Sequence, residues 1–356
     1  MVIQMYKLAF AILIPVMVAF IYFLVFFVVS SSYAHDTDES SGVKQKLIID
    51  HDGGADDAMA IFMALLYEKY YDGPEVVALT TTFGNVDEDQ SYNNTQRILT
   101  VADRRDVPIY RGSTRALIGE FPPDYFFGYD GLGDNNTDNY EPIAAQKEHA
   151  VFGLIELSKK YSGELVIVTL GALTNIALAI RIDPSFMSRL SHIYVAAGHI
   201  YGDDFKEPEF NANMDVESYY IVTESGTSEK LTIIPFSQIR LYQKINKEWR
   251  TEVLGSIDTK IMRAQNNYEQ VSLSASTYWC LLDPSAMAIA LDETLIVQET
   301  RFSNNSIILC GDQRGVNTND FTTCNDSNAR VIYKVSKEPY KKMLYDIFSA
   351  ELRTNK

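Results

Sequence analysis

Positive charge is scarce in this chain: 31 Lys and Arg stand against 47 Asp and Glu, for a net charge of −16. Such a surface repels polyanions and argues against a nucleic-acid partner. Cysteine is scarcer still, with only Cys280, Cys310 and Cys324. Cys280 sits in an apolar run between Trp279 and Leu281 and reads as a small buried hydrophobe. No motif sets a histidine near it, which argues against a catalytic thiol. There is no internal repeat and no low-complexity linker to split the chain. Beyond the first ~34 residues about 320 remain, within the range of one large α/β domain.

Long apolar runs are also missing, with one exception. Residues 8–29 are almost wholly apolar, follow Lys7, and lead into Ser32 and Ala34. Residues 1–34 therefore read as a secretory signal cleaved after Ala34, or as an uncleaved anchor long enough to span a bilayer. The first reading makes the protein secreted and the second a single-pass type II membrane protein. Residues 35–44 form a short linker and residues 45–356 the domain. Four N-x-S/T sequons, at Asn93, Asn135, Asn304 and Asn325, suit the secretory compartment. So does a disulfide between Cys310 and Cys324, which flank an apparent pair of strands and their connection.

Strand-like runs (VVALTTTFG, ELVIVTLG, HIYVAAGH, LTIIPF) alternate with helical ones (DQSYNNTQRILTVAD, AAQKEHAVFGLIELSKKY, TNIALAIRI). This alternation predicts a single α/β domain, with a mostly parallel, Rossmann-like sheet flanked by helices. The stretch LIIDHDGGADDAMAIFMALL, residues 47–66, concentrates the chemistry. An apolar strand runs into Asp50, Asp52, Asp56 and Asp57, interrupted by Gly53 and Gly54, and a helical pattern follows. Asp56 and Asp57 alone could be capping residues of the helix. Four carboxylates this close repel one another, and a hard divalent cation offsets that repulsion best. The strand end reads as a metal site at the mouth of an α/β sheet.

The same stretch resembles the N-terminal signature of the nucleoside hydrolases, the inosine–uridine-preferring N-ribohydrolase family, with Gly53 where that family carries proline. Further segments follow in the family's order: TTFGNVDEDQ from Thr81, FFGYDGLGD at 126–134, VIVTLGALTNIALAI from Val166, EPEFNANMDVE from Glu207 and LLDPSAMAIALD from Leu281. The resemblance covers roughly residues 45–350. It departs at Phe127 and Leu282, where many members carry His, and at Ala172, where they carry Pro.

The resemblance implies hydrolysis of the N-glycosidic bond of ribonucleosides, with Ca²⁺ as cofactor. Asp52 would be the general base acting on a metal-bound water. Asp52, Asp57, Asp283 and the backbone carbonyl of Leu170 would ligate the ion. Asp56, Asn85, Glu209 and Asn211 would bind ribose, and Asp203 stands where the family's ribose-touching Asn falls. Asp50 would orient its neighbours. A ribonucleoside carries no phosphate and suits the acidic chain. Family members are often dimers or tetramers, so a homodimer or homotetramer is implied, with the membrane a partner only if residues 1–34 stay uncleaved. The usual leaving-group imidazole is absent at Leu282. Aromatic stacking by Tyr129, Tyr242, Trp249 or Tyr278 could replace it and favour purines. Two other readings stand beside this one: a catalytically degenerate nucleoside-binding protein on the same fold, and an aspartyl-phosphate phosphatase, which the G-G-A-D-D sequence disfavours.

Overall fold

The first strand, β1 (Lys46–His51), sends alternate side chains to two different cores. Leu47 and Ile49 join one, and Ile48 joins the other. In β4 (Leu165–Thr169), Val166 and Val168 likewise part from Leu165 and Ile167. A strand buried on both faces needs a helical layer on each. The computed structural model, which describes residues 44–135 and 140–354, has both layers. One core takes side chains from α1 (Ala55–Tyr70), the other from α3 (Ala150–Lys160) and α4 (Thr174–Ile182), while α2 (Glu88–Val101) follows the second strand. On α1, Ile61 and Phe62 are fully buried, and each such side chain contributes roughly 1.5–3 kcal/mol.

The remaining strands are β2 (Glu75–Thr81), β3 (Ile109–Tyr110), β5 (His192–Ala196), β6 (Leu231–Ile234), β7 (Ile245–Asn246), β8 (Tyr278–Trp279), β9 (Val297–Ile307), β10 (Asn317–Phe321) and β11 (Ala329–Val335). Nine of them form one sheet in the order β10-β9-β11-β6-β5-β4-β1-β2-β3. From β3 to β11 every pairing is parallel, and only β9, between β11 and β10, runs against the rest, so the expected architecture is found. The order reverses at β1, which pairs with β2 on one side and β4 on the other. Ligands of such sheets bind outside the strand carboxyl ends at this switch point. The Asp-rich loop after β1 and the Leu170 turn after β4 meet there.

Two expectations change at this level. The helical pattern from residue 144 becomes helix only at Ala150, because the preceding chain bonds to the β3 edge: Gln146 N–H donates to the Ile109 carbonyl and Ala150 N–H to that of Arg111. The Cys310–Cys324 disulfide is not formed, and both thiols are free and exposed. β9 and β10 pair antiparallel with Ile307 opposite Asn317 and Ser303 opposite Phe321. Cys310 follows Ile307 into the turn, whereas Cys324 lies beyond Phe321 at the open end. Four residues of strand, about 13 Å, therefore separate their levels, and a disulfide needs Cα atoms within about 7 Å. No helix among the described residues is long and apolar enough to cross a membrane, and residues 1–34 lie outside them.

Candidate active site

Four strand-end segments and one helix start build the site. After β1 the chain turns at Gly53, whose φ of +83° is costly for any residue with a Cβ. Asp57, three residues into the turn, then fixes it: its carboxylate accepts the Gly54 N–H at 2.7 Å and the Asp52 N–H at 3.2 Å. Asp52 accepts the Asn85 N–H at 2.9 Å through one oxygen, while its other oxygen is buried without a partner. Gly84 packs so closely on this carboxylate that a Cβ there would overlap it. Asp50 points elsewhere, accepting from Thr80 Oγ1 (2.5 Å) and Asn175 Nδ2 (2.8 Å), and so ties β1 to its neighbours as expected.

Asp283 comes from 226 residues further on, in the first turn of α8 (Leu282–Leu291), numbered after α5 (Phe210–Met214), α6 (Val216–Glu224) and α7 (Phe236–Tyr242). It closes a cluster with Asp56 and Asp57 in which one oxygen of each lies within 4.8 Å of the others. Asp52 stands beside this cluster rather than in it. Its charge acts on both Asp56 and Asp57, so Asp52, Asp56, Asp57 and Asp283, all expected at the site, share one buried pocket of carboxylates.

Above the cluster opens a cavity of about 350 Å³, lined by Asp56, Asn85, Leu170, Glu209, Asn211 and Asp283 among others. Glu209 caps α5, accepting the N–H groups of Ala212 (3.0 Å) and Gly198 (2.8 Å). Asn211 donates to the carbonyls of Leu170 (2.8 Å) and Ala196 (2.9 Å), locking the β4 and β5 ends together. Asp203 is not brought here. It is exposed in the turn closed by the Gly202–Phe205 bridge and does not line the cavity, because the peptide swings outward before returning at Glu209. The four proposed stacking aromatics also miss it. Tyr129 is exposed, Tyr242 and Trp249 pack on the core, and Tyr278 lines an adjoining pocket. Phe126, Phe127, Phe210 and Phe236 supply the aromatic wall.

Sequence reasoning also undervalued three residues. His199 lines the cavity, and its place just past the carboxyl end of β5 was the available signal. Cys280 lines it as well, its thiol pushed up to about 12 by burial. Asp124 lies in the wall beside Asn85, at 3.4 Å from its Nδ2. His51, at the end of β1, is fully buried against Thr95, and burial lowers it to about 3.

The site's electrostatics are those of unneutralised carboxylates. Burial raises Asp52 to about 6, Asp50 to about 7 and Glu209 to about 7. Asp56, Asp57 and Asp283 are raised well above the usual range by burial first and then by neighbouring carboxylates, Asp52 foremost for Asp56 and Asp57 and Asp56 for Asp283. Each group holds its proton more tightly folded than unfolded. The native state then binds more protons, and stability falls as pH rises. Without a cation, the melting temperature is expected to drop between about pH 4 and pH 7 from this source. Millimolar divalent cation should reverse the drop at pH 7. Thermal unfolding with and without chelator across this range checks it, and a flat profile would contradict it.

Fold and site together define an α/β protein with an oxygen-ligand cluster under a sugar-sized cavity at the sheet's switch point. The chain matches the family described as "Inosine-uridine preferring nucleoside hydrolase" over residues 47–342, and it belongs to that family. It is 38% identical over 189 residues to a protein named uridine nucleosidase 1 from Arabidopsis thaliana, covering 52% of this chain and 55% of that one. The chain thus spans about half the length of the plant uridine nucleosidases it matches. A solved purine-preferring ribonucleoside hydrolase from Gardnerella vaginalis superposes with a TM-score of 0.77 at 27% identity, over 86% of this chain and all of that one. A solved plant nucleoside hydrolase gives 0.74 at 28% identity, with the same coverage.

Proposed function

We propose that the protein hydrolyses the N-glycosidic bond of ribonucleosides, releasing free base and ribose. The observation that carries this reading is the juxtaposition of the Asp56–Asp57–Asp283 cluster with Asp52 and with the Glu209–Asn211 wall around one cavity. The donor set fits a hard cation, for which we propose Ca²⁺. All its side-chain ligands are carboxylates, and Asp52 Oδ1 and Asp56 Oδ1 are buried without partners. Asp52, Asp57, Asp283 and the Leu170 carbonyl, with Asp56 gathered beside them, are the groups that would hold the ion. An ion held by these residues would make a bound water more acidic and could take vicinal hydroxyls as ligands.

The chain's own groups do the rest. Asp52 takes a proton from the water that attacks the anomeric carbon, and its free oxygen is the accepting atom. Its raised pKa brings it nearer the operating pH, which favours a general base. Glu209 and Asn211 hold sugar hydroxyls from the far wall. The phenylalanines exclude water from the oxocarbenium-like transition state.

Release of reducing sugar from inosine, adenosine, guanosine, uridine and cytidine, with Ca²⁺ and with chelator, tests the reading. Ribose release that requires the cation supports it and reports base preference. Binding of nucleoside without release would favour a degenerate binding protein. We also propose passage through the secretory pathway, favoured by Asn93, Asn304 and Asn325 being exposed and Asn135 partly so. A mobility shift on endoglycosidase treatment of protein made in a secreting host is expected.

A further inference from the structure

Hydrolysis of a nucleoside needs the departing base stabilised, and Leu282, buried in the cavity wall, has no group to do it. Few lining side chains can donate a hydrogen bond instead. Asn211 spends its amide hydrogens on the Leu170 and Ala196 carbonyls. Asn85 faces Asp124. Cys280 offers only a weak S–H donor. His199 remains. It is only 6% exposed, it lines the cavity, and its ring Nδ1 is buried without a partner.

The position is built rather than incidental. Asn317 grips the His199 backbone from both sides, its Oδ1 accepting the N–H at 2.7 Å and its Nδ2 donating to the carbonyl at 3.0 Å. Asn319 Nδ2 donates to the same carbonyl at 2.8 Å. The ring is packed by Tyr201, Phe205 and Phe236. A buried imidazole nitrogen left unpaired inside a clamp of this kind costs stability unless a ligand satisfies it.

We propose that His199 hydrogen-bonds the departing nucleobase and so supplies the leaving-group contact that Leu282 cannot. This rests on the nucleoside-hydrolase reading above. Burial and the nearby Arg240 lower the imidazole to about 4, so at neutral pH it is uncharged and carries one ring N–H. As water attacks C1′ its proton goes to Asp52. The electron pair of the broken C–N bond goes to the base nitrogen. The His199 N–H stabilises the negative charge spread over the base ring, which then takes its proton from solvent.

The test compares His199→Phe and His199→Asn with wild type on inosine, on uridine and on 4-nitrophenyl β-D-ribofuranoside, all with Ca²⁺. The nitrophenolate leaves without help, so it isolates the leaving-group role. His199→Phe is expected to lower kcat/KM for both nucleosides by about 10²-fold and to leave the nitrophenyl riboside nearly unchanged. His199→Asn should recover part of the nucleoside rate. Equal losses on all three substrates would mark a structural role and overturn the proposal, as would no loss on any. A wild-type protein inactive on all three would instead overturn the hydrolase reading beneath it.

Discussion

Asp52→Asn is expected to cut ribose release by about 10³-fold or more, in kcat rather than in KM. The amide cannot accept the proton of the attacking water, and no neighbour can take its place: the other cavity carboxylates face the proposed ion or, like Glu209, are fixed by backbone N–H groups. Folding should survive. The Asn85 N–H can still bond to the amide oxygen, and one repelled charge disappears from a buried cluster. A melting temperature equal to or above that of wild type in chelator, with nucleoside still bound, would separate lost chemistry from lost structure. A variant that keeps a tenth of the wild-type kcat would exclude Asp52 as the base.

Asp283→Asn is expected to have opposite effects on stability and activity. Its carboxylate is buried and raised well above its ordinary pKa, by burial first and then by Asp56, Asp52 and Glu209. Removing that charge relieves the metal-free protein, so its melting temperature at pH 7 should rise. The same change removes one carboxylate from the only three-carboxylate cluster among the described residues, where the cation is proposed to bind. Cation-induced stabilisation should then shrink to near zero, and activity should fall at least 10²-fold. Calorimetric titration with Ca²⁺ beside thermal unfolding checks both halves. A variant less stable than wild type in chelator would mean the cluster is stabilising without an ion, against the argument from repulsion.

How much of the site could be read from the sequence depends on how local each part is. Asp50, Asp52, Asp56 and Asp57 sit in one strand–turn–helix unit, and the alternation of β1 with the glycine turn already aims them at a sheet edge. Glu209 and Asn211 were reached only through the family resemblance; read alone they are polar loop residues, and in the fold Glu209 caps the short helix that holds Asn211. Asp203 was not legible. The resemblance set it where the family's ribose-touching Asn falls, but the peptide around it forms its own exposed turn. Nor was the disulfide, since the separation of Cys310 and Cys324 is set by hairpin register and not by loop length.

The sequence by itself determined the α/β class, the two-sided burial of the strands and the acid-rich turn after β1. These follow from periodicity, glycine placement and charge density within short windows. Only the tertiary structure decided that Asp283 completes a cluster with Asp56 and Asp57, and that His199 lines the cavity with one ring nitrogen buried and unpaired. Asp283 lies 227 positions from Asp56, and His199 lies 84 from Asp283. These relations depend on where β1, β4, β5 and α8 end in space, which is set by packing across the sheet and leaves no local pattern in the chain.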